Sequence, residues 1–149
     1  MKIRQADITE PAVRTLIGEV MDELSRRYGG SGDDTPIGDT DFTPPDGYFF
    51  VADDGERLIG CAGWRRHGND AELKRMYTIQ AARGQGVGRR LLAHVEESAR
   101  SAGCYRLILE TGDKQPEAIA LYKSAGYERI ADFGYYAGQE GVLSFAKPL

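Results

Sequence analysis

Cysteine, histidine and tryptophan are scarce in this chain, with two, two and one among 149 residues. Cys61 and Cys104 stand far apart in apolar stretches and outside any C-x-x-C spacing, so they are expected as reduced structural thiols and not as a zinc or redox pair. His67, in a polar turn with Gly68 and Asn69, and His94, on the polar side of its helix, are expected to be solvated, so no metal site is expected. No apolar run approaches the ~20 residues a membrane helix needs. The start, Met1-Lys2-Ile3-Arg4, carries no long apolar segment or cleavage site of a secretory signal, which leads to the expectation of a cytoplasmic protein.

Basic surplus is missing too. The formal net charge is −4, which argues against general binding to nucleic acid or an anionic membrane. The cations are unevenly spread, however: Lys74, Arg75, Arg83, Arg89 and Arg90 follow one another with no acid between them, one local place suited to a polyanion. The hydrophobic share of 41% and charged share of 28% are those of an ordinary globular chain, and the length suits a single domain, 1–149.

Apolar periodicity gives a strand at Ile3 to Ala6 and a helix from Pro11 to about Tyr28 carrying Val13, Leu16, Ile17, Val20 and Leu24. Residues 29–47, rich in Gly, Pro and Asp, form a long loop for which a substrate lid and disorder are both open. Strands at Tyr48 to Asp53 and Arg57 to Arg66 flank an Asp54-Gly55-Glu56 turn, and Ala71 to Ile79 is the next strand. Helices at Gly86 to Ala102 and Pro116 to Ala125 enclose the apolar strand Tyr105 to Thr111, and strands at Tyr127 to Ala131 and Val142 to Lys147 end the chain. Helices alternating with strands, with hairpins at both ends, predict an α/β (α+β) fold with a mixed, largely antiparallel central sheet flanked by helices.

The chemistry concentrates at Arg83-Gly84-Gln85-Gly86-Val87-Gly88, between a strand and the clearest helix. Glycines there let successive backbone N–H groups converge, and the helix N-terminus adds positive partial charge, a suitable cradle for phosphate. A Walker loop would continue Lys-Ser/Thr where this chain has Arg89-Arg90, and a dinucleotide fingerprint would be spaced G-x-G-x-x-G. The G-x-G-x-G spacing is compatible with an S-adenosylmethionine-dependent methyltransferase, with Glu110 as the ribose-binding acid, but only 39 residues remain after Glu110 for the further strand and helix units that fold requires.

The pattern R-x-x-G-x-G opening a helix after a strand resembles the GNAT superfamily of N-acetyltransferases, and so does Ala118-Ile119-Ala120-Leu121-Tyr122-Lys123-Ser124-Ala125-Gly126-Tyr127 downstream. The resemblance implies a single GNAT-like domain that uses acetyl-CoA and transfers the acetyl group to the amine of a small molecule or peptide by direct attack in a ternary complex. A domain that binds acyl-CoA without transfer is the alternative. Arg83, Gly86 and Gly88 match the loop that cradles the pyrophosphate, and further cofactor contacts are implied at Gly84, Gln85, Val87 and Arg89. Many members carry an Asn before the Tyr-bearing helix where this chain has Gln115-Pro116.

The resemblance also implies that the strand before the loop splays from its neighbour and offers Met76, Tyr77 and Thr78 to the cofactor, with the Met76 N–H at the thioester oxygen. Tyr122 is the candidate general acid, since a phenol of reference pKa ~10 is protonated at neutral pH. Glu72, eleven residues before Arg83, is the candidate general base; strand alternation puts it on the side of Met76 and Thr78 if no bulge intervenes, with Lys74 there as a salt-bridge partner. Phe133, Tyr135 and Tyr136 are candidates for the acceptor site. The partners expected are thus acetyl-CoA and an amine, with no nucleic acid or membrane and with a homodimer left open.

Overall fold

A computed structural model describes residues 1–30 and 32–149. The elements run β1 (Lys2–Gln5), α1 (Pro11–Tyr28), β2 (Gly47–Asp53), β3 (Leu58–His67), β4 (Asp70–Thr78), α2 (Val87–Ser101), β5 (Arg106–Gly112), α3 (Pro116–Ser124), β6 (Glu128–Arg129) and β7 (Val142–Pro148). A short 3₁₀ turn at Gln80–Ala82 precedes α2. The strands form one sheet in the order β1-β2-β3-β4-β5-β7-β6. Every neighbouring pair is antiparallel except β4 with β5. This mixed sheet matches the expected α+β fold and removes the methyltransferase alternative, which needs a mainly parallel sheet.

Both faces of the sheet are covered, which is why Phe49, Phe50, Val51 and Ala52 of β2 are all buried without alternation. Trp64 of β3 donates its indole N–H to Ser98 of α2 at 2.9 Å, so the face carrying Gly60, Ala62 and Trp64 belongs to α2. Val87, Leu91, Leu92, Val95 and Ala99 supply the helix stripe against it. The opposite face, with Gly63 and Arg65, packs on α1 and on the segment between α1 and β2.

That segment is held to the sheet. Phe42 is buried against Phe49, and Arg65 donates to the carbonyl of Pro36 at 2.9 Å. The expected loop 29–47 includes Ser31, which lies outside the described residues, and its last residue, Gly47, already pairs in β2. Near the C-terminus the expected strand Tyr127 to Ala131 shrinks to Glu128–Arg129, because Tyr127 turns into the core and bonds Glu96.

Two irregularities shape the site. The β4–β5 ladder runs only through Ala71↔Leu107 and Glu72↔Ile108, although both strands continue, so they separate beyond Glu72. In the β3–β4 pairing, Cys61 faces Tyr77 and Gly63 faces Lys74, so the single residue Ala62 opposes both Arg75 and Met76. This is a β-bulge, with Arg75 at a φ of 58°. The left-handed conformation is unfavourable for an arginine, and two contacts hold it: its guanidinium pairs with Asp33, and its carbonyl accepts the Cys61 thiol.

Candidate active site

The glycine-rich loop ends in Gly86, the N-cap of α2, at a φ of 81° that only glycine adopts readily. A Cβ built at Gly86 would meet none of the described residues within 4 Å, so open space lies over the first turn, whose amides have no intrahelical acceptors. Arg83, Gly84, Gly86, Val87, Gly88 and Arg89 line a cavity of about 380 Å³ together with Met76, Thr78 and Tyr122. Val87 contributes from the core, at 3% exposed, whereas Gln85 lies exposed and outside that lining. Arg83 donates to the Thr78 carbonyl at 3.0 Å and to the two carboxylate oxygens of Glu23 on α1 at 2.7 and 2.8 Å, and lies over the Tyr77 ring. Arg89 reaches Ser124 of α3 at 2.6 Å. The residues present therefore fit a diphosphate followed by a narrow chain.

The basic run in the sequence divides in the fold. Arg83, Arg89 and Arg90 stay at the loop, while Lys74 and Arg75 turn to the α1 face and pair with Asp33. A second cavity, of about 320 Å³, lies there, with Asp33, Lys74, Glu110, Tyr28, Tyr136 and Val142 among its walls. A smaller one of about 90 Å³ shares Met76 and Tyr122 with the first cavity and Lys74 and Glu110 with the second. The separation of β4 from β5 thus leaves a passage where these cavities share walls, with the glycine-rich loop on the α2 side and a chamber at Asp33, Lys74, Glu110 and Tyr136 on the α1 side.

Tyr122 sits in this passage, 6% exposed, edge-on to Tyr127 and near Phe145. Burial raises its phenol pKa, keeping it protonated at neutral pH. It is both a core aromatic and a cavity wall. Met76 and Thr78 approach the position of a Cβ on Gly88, on the α2 side.

Glu72 lies elsewhere. The bulge at Arg75 reverses the alternation, so Glu72 shares the α1 face with Lys74 and not the face of Met76 and Thr78, which corrects the expectation drawn from strict alternation. Its carboxylate is 2% exposed and accepts from Arg65 at 3.1 Å, so the salt-bridge partner is Arg65 and not Lys74.

The acidic group that lines the passage is one that the sequence pointed to only as the ribose-binding acid of the methyltransferase alternative. Glu110 of β5 has one carboxylate oxygen, Oε2, accepting the Tyr136 N–H at 3.1 Å, while Oε1 is buried with no hydrogen-bond partner among the described residues. Gly134 lies directly over it, since a Cβ there would come within 2.4 Å of Oε1. Burial raises the Glu110 pKa above the ordinary carboxylate range, a tendency that the N–H of Tyr136 and the charge of Lys74 oppose. Of the three aromatics, Tyr136 joins the chamber and donates to Asp33 at 2.6 Å, whereas Phe133 packs on His67 and Tyr135 is 52% exposed. Cys61 is no alternative nucleophile, for complete burial pushes its thiol up to about 12.

Residues 17–127 match the model of the acetyltransferase (GNAT) family, a span that contains the loop, the bulged strand and Tyr122. The chain belongs to the GNAT family. A GNAT relative, the IAA acetyltransferase of Azospirillum brasilense, is 40% identical over 107 residues, 70% of each chain. In two other bacterial relatives the match spans about half of the relative's length, 53% and 54%. Among solved GNAT folds, an acetyltransferase of the GNAT family from Staphylococcus aureus Mu50 superposes with a TM-score of 0.79 at 18% identity, covering 99% of both chains. An aminoglycoside 6'-N-acetyltransferase in complex with coenzyme A gives 0.76 at 17% identity, covering 99% of this chain and 97% of the other. These two likenesses concern the fold. Membership makes the chain a GNAT-type N-acetyltransferase, an enzyme of the family whose donor is acetyl-CoA and whose acceptors are amines.

Proposed function

We propose that the chain acetylates a small amine by direct attack in a ternary complex, with acetyl-CoA entering along the glycine-rich loop and the amine entering from the chamber at Glu110. The single observation that carries this reading is the passage between β4 and β5, whose walls include Met76, Lys74, Glu110 and Tyr122 at once. The loop from Arg83 to Arg89 would hold the pyrophosphate, with Gly84, Gly86 and Gly88 leaving room for it and Gln85 at the edge. Met76, Tyr77 and Thr78 would line the pantetheine path, the Met76 N–H meeting the carbonyl oxygen as it gains charge. Bound acetyl-CoA supplies the acetyl thioester.

The residues of the chain then divide two proton tasks. Glu110, directly or through one water, takes a proton from the acceptor ammonium, and its raised pKa makes it a stronger base than an ordinary carboxylate. Glu72 is less suited to this task, being buried and held by Arg65. Tyr122 donates to the departing sulfur. Because burial raises the phenol pKa well above a thiol's ~8.5, Tyr122 acts first as a hydrogen-bond donor to the thiolate, and full proton transfer is drawn by the amine's loss of its own proton. No acyl-enzyme is required, in keeping with the inert Cys61.

The test is Tyr122→Phe, which keeps the ring in its contacts with Tyr127 and Phe145. Thiol release should fall in kcat by ~10²-fold or more while acetyl-CoA affinity measured by calorimetry stays within about twofold. Wild-type turnover in the variant would leave Tyr122 as a core residue only.

A further inference from the structure

Lys74 is an unexpected residue to find in an amine-binding chamber, because a buried ammonium repels the cationic form of an amine acceptor. Its ammonium is 7% exposed and accounts for two of its three donors with Thr35 at 3.0 Å and Asp33 at 3.2 Å. In the parallel β4–β5 ladder Glu72 faces Ile108, where the pairing ends, and strand alternation puts Lys74 and Glu110, each two residues further on, on the same face of the parted strands. Their strands start from the usual spacing of ~4.8 Å and widen from there. Both line the chamber of about 320 Å³, and Lys74 keeps to Asp33 and Thr35, not to Glu110.

The charges facing this end of the chamber sharpen the point. Lys74 and Arg75 share the one carboxylate of Asp33, so Glu110 is the anion that balances the group of four. Glu140 lies at the exposed rim. An acceptor that brought only an ammonium would leave a buried positive charge uncompensated, which is costly in a site of low dielectric. An acceptor that carries a carboxylate beside its amine leaves the group neutral and gives Lys74 a third partner.

On the reading of the site given above, we propose that the acceptor is a free α-amino acid, its ammonium received at Glu110 and its carboxylate at Lys74. Its side chain then extends toward Tyr28 and Val142, and the small volume sets its size. In the reaction the ammonium loses one proton to Glu110, the N–C bond forms, the C–S bond breaks, the sulfur takes the Tyr122 proton and leaves as free CoA, and the second proton lost by the nitrogen restores the Tyr122 hydroxyl. The product is an N-acetylamino acid. A peptide N-terminus or a polyamine has no carboxylate on the carbon next to the reacting amine and so cannot satisfy Lys74.

The experiment compares kcat/KM by thiol release for a panel of α-amino acids, their carboxamides and their decarboxylated amines. Carboxamides carry the less basic amine, so they are intrinsically favoured at neutral pH, and a preference for the free acid must come from the site. The expected result is at least a tenfold preference for some free acid over both its analogues, with Lys74→Met bringing that ratio close to one while acetyl-CoA affinity by calorimetry is unchanged. The wild-type ratio stands as a test even if Lys74→Met fails to fold. Equal or better turnover of the carboxamides or decarboxylated amines would overturn the amino-acid proposal and leave the acetyltransfer reading intact. Acetyl-CoA binding with no consumption of any amine in the panel would overturn both.

Discussion

Valine at position 86 separates the strain of the loop from its function, because the same fold offers a matched control. Gly86 and Gly103 flank the two ends of α2, with φ of 81° and 85°, and a Cβ on either would meet none of the described residues within 4 Å. Any L side chain at such a φ costs roughly 1–2 kcal/mol, with β-branched residues at the upper end. For a chain of this length that amounts to a fall in Tm of about 2–8 °C, and Gly86→Val and Gly103→Val should fall by similar amounts. Acetyl-CoA binding should tell them apart. The space over Gly86 is where the phosphates would approach the first turn, and a valine there denies them the converging amides. Charge-assisted hydrogen bonds are worth about 1.5–3 kcal/mol each, so loss of two weakens binding by ~100-fold or more. Calorimetry should therefore give a collapse of affinity in Gly86→Val and near wild-type affinity in Gly103→Val. Equal affinity in the two variants would refute the assignment of the loop.

Two further outcomes follow from contacts around the passage. Glu23 holds Arg83 through both carboxylate oxygens, so the ligand's phosphates compete with it; Glu23→Gln should tighten acetyl-CoA by about 3–5-fold, more at low salt, in keeping with the modest worth of a partly exposed pair, and weaker binding would mean that Glu23 positions Arg83 correctly. Tyr136→Phe removes the hydroxyl that donates to Asp33 at 2.6 Å and accepts the Asp34 N–H at 2.7 Å; stability should fall by about 1–3 kcal/mol in a denaturant melt and the acceptor KM should rise, while acetyl-CoA affinity is unchanged.

The parts of the molecule that were legible in the sequence are those governed by local rules. The α2 stripe of Val87, Leu91, Val95 and Ala99, the Asp54-Gly55 turn and the glycine loop at a helix start all follow from periodicity and glycine chemistry, and all are present. The bulge left no such mark. Its strained residue is Arg75 and not a glycine, and what holds it is Asp33, distant in sequence. One inserted residue in β4 was enough to put Glu72 on the wrong face in a reading based on alternation. Glu110 was visible as an acid ending an apolar strand, and the role it suggested there was that of a ribose-binding acid in a methyltransferase. Its role depends on the parting of β4 from β5 and on the cover that Gly134 provides, both of them tertiary. Residues 29–47 looked structureless because their anchors, Thr35 and Phe42, are single residues without a period.

Glu110, as the proton acceptor in the passage, is the centre of the proposed mechanism. Because burial raises its pKa, wild-type kcat/KM should climb with pH on an acidic limb lying above the ordinary carboxylate value of ~4.3, as Glu110 loses its proton and becomes competent. Glu110→Gln keeps an oxygen to accept the Tyr136 N–H and removes only the basicity. The pH–rate profile of this variant is the direct measurement: at pH 7 it should lie ~10²-fold or more below wild type, lack the acidic limb, and recover toward wild type in the alkaline range where the amine deprotonates unaided. A profile that overlays the wild type would contradict the account and leave Glu110 as a buried structural acid.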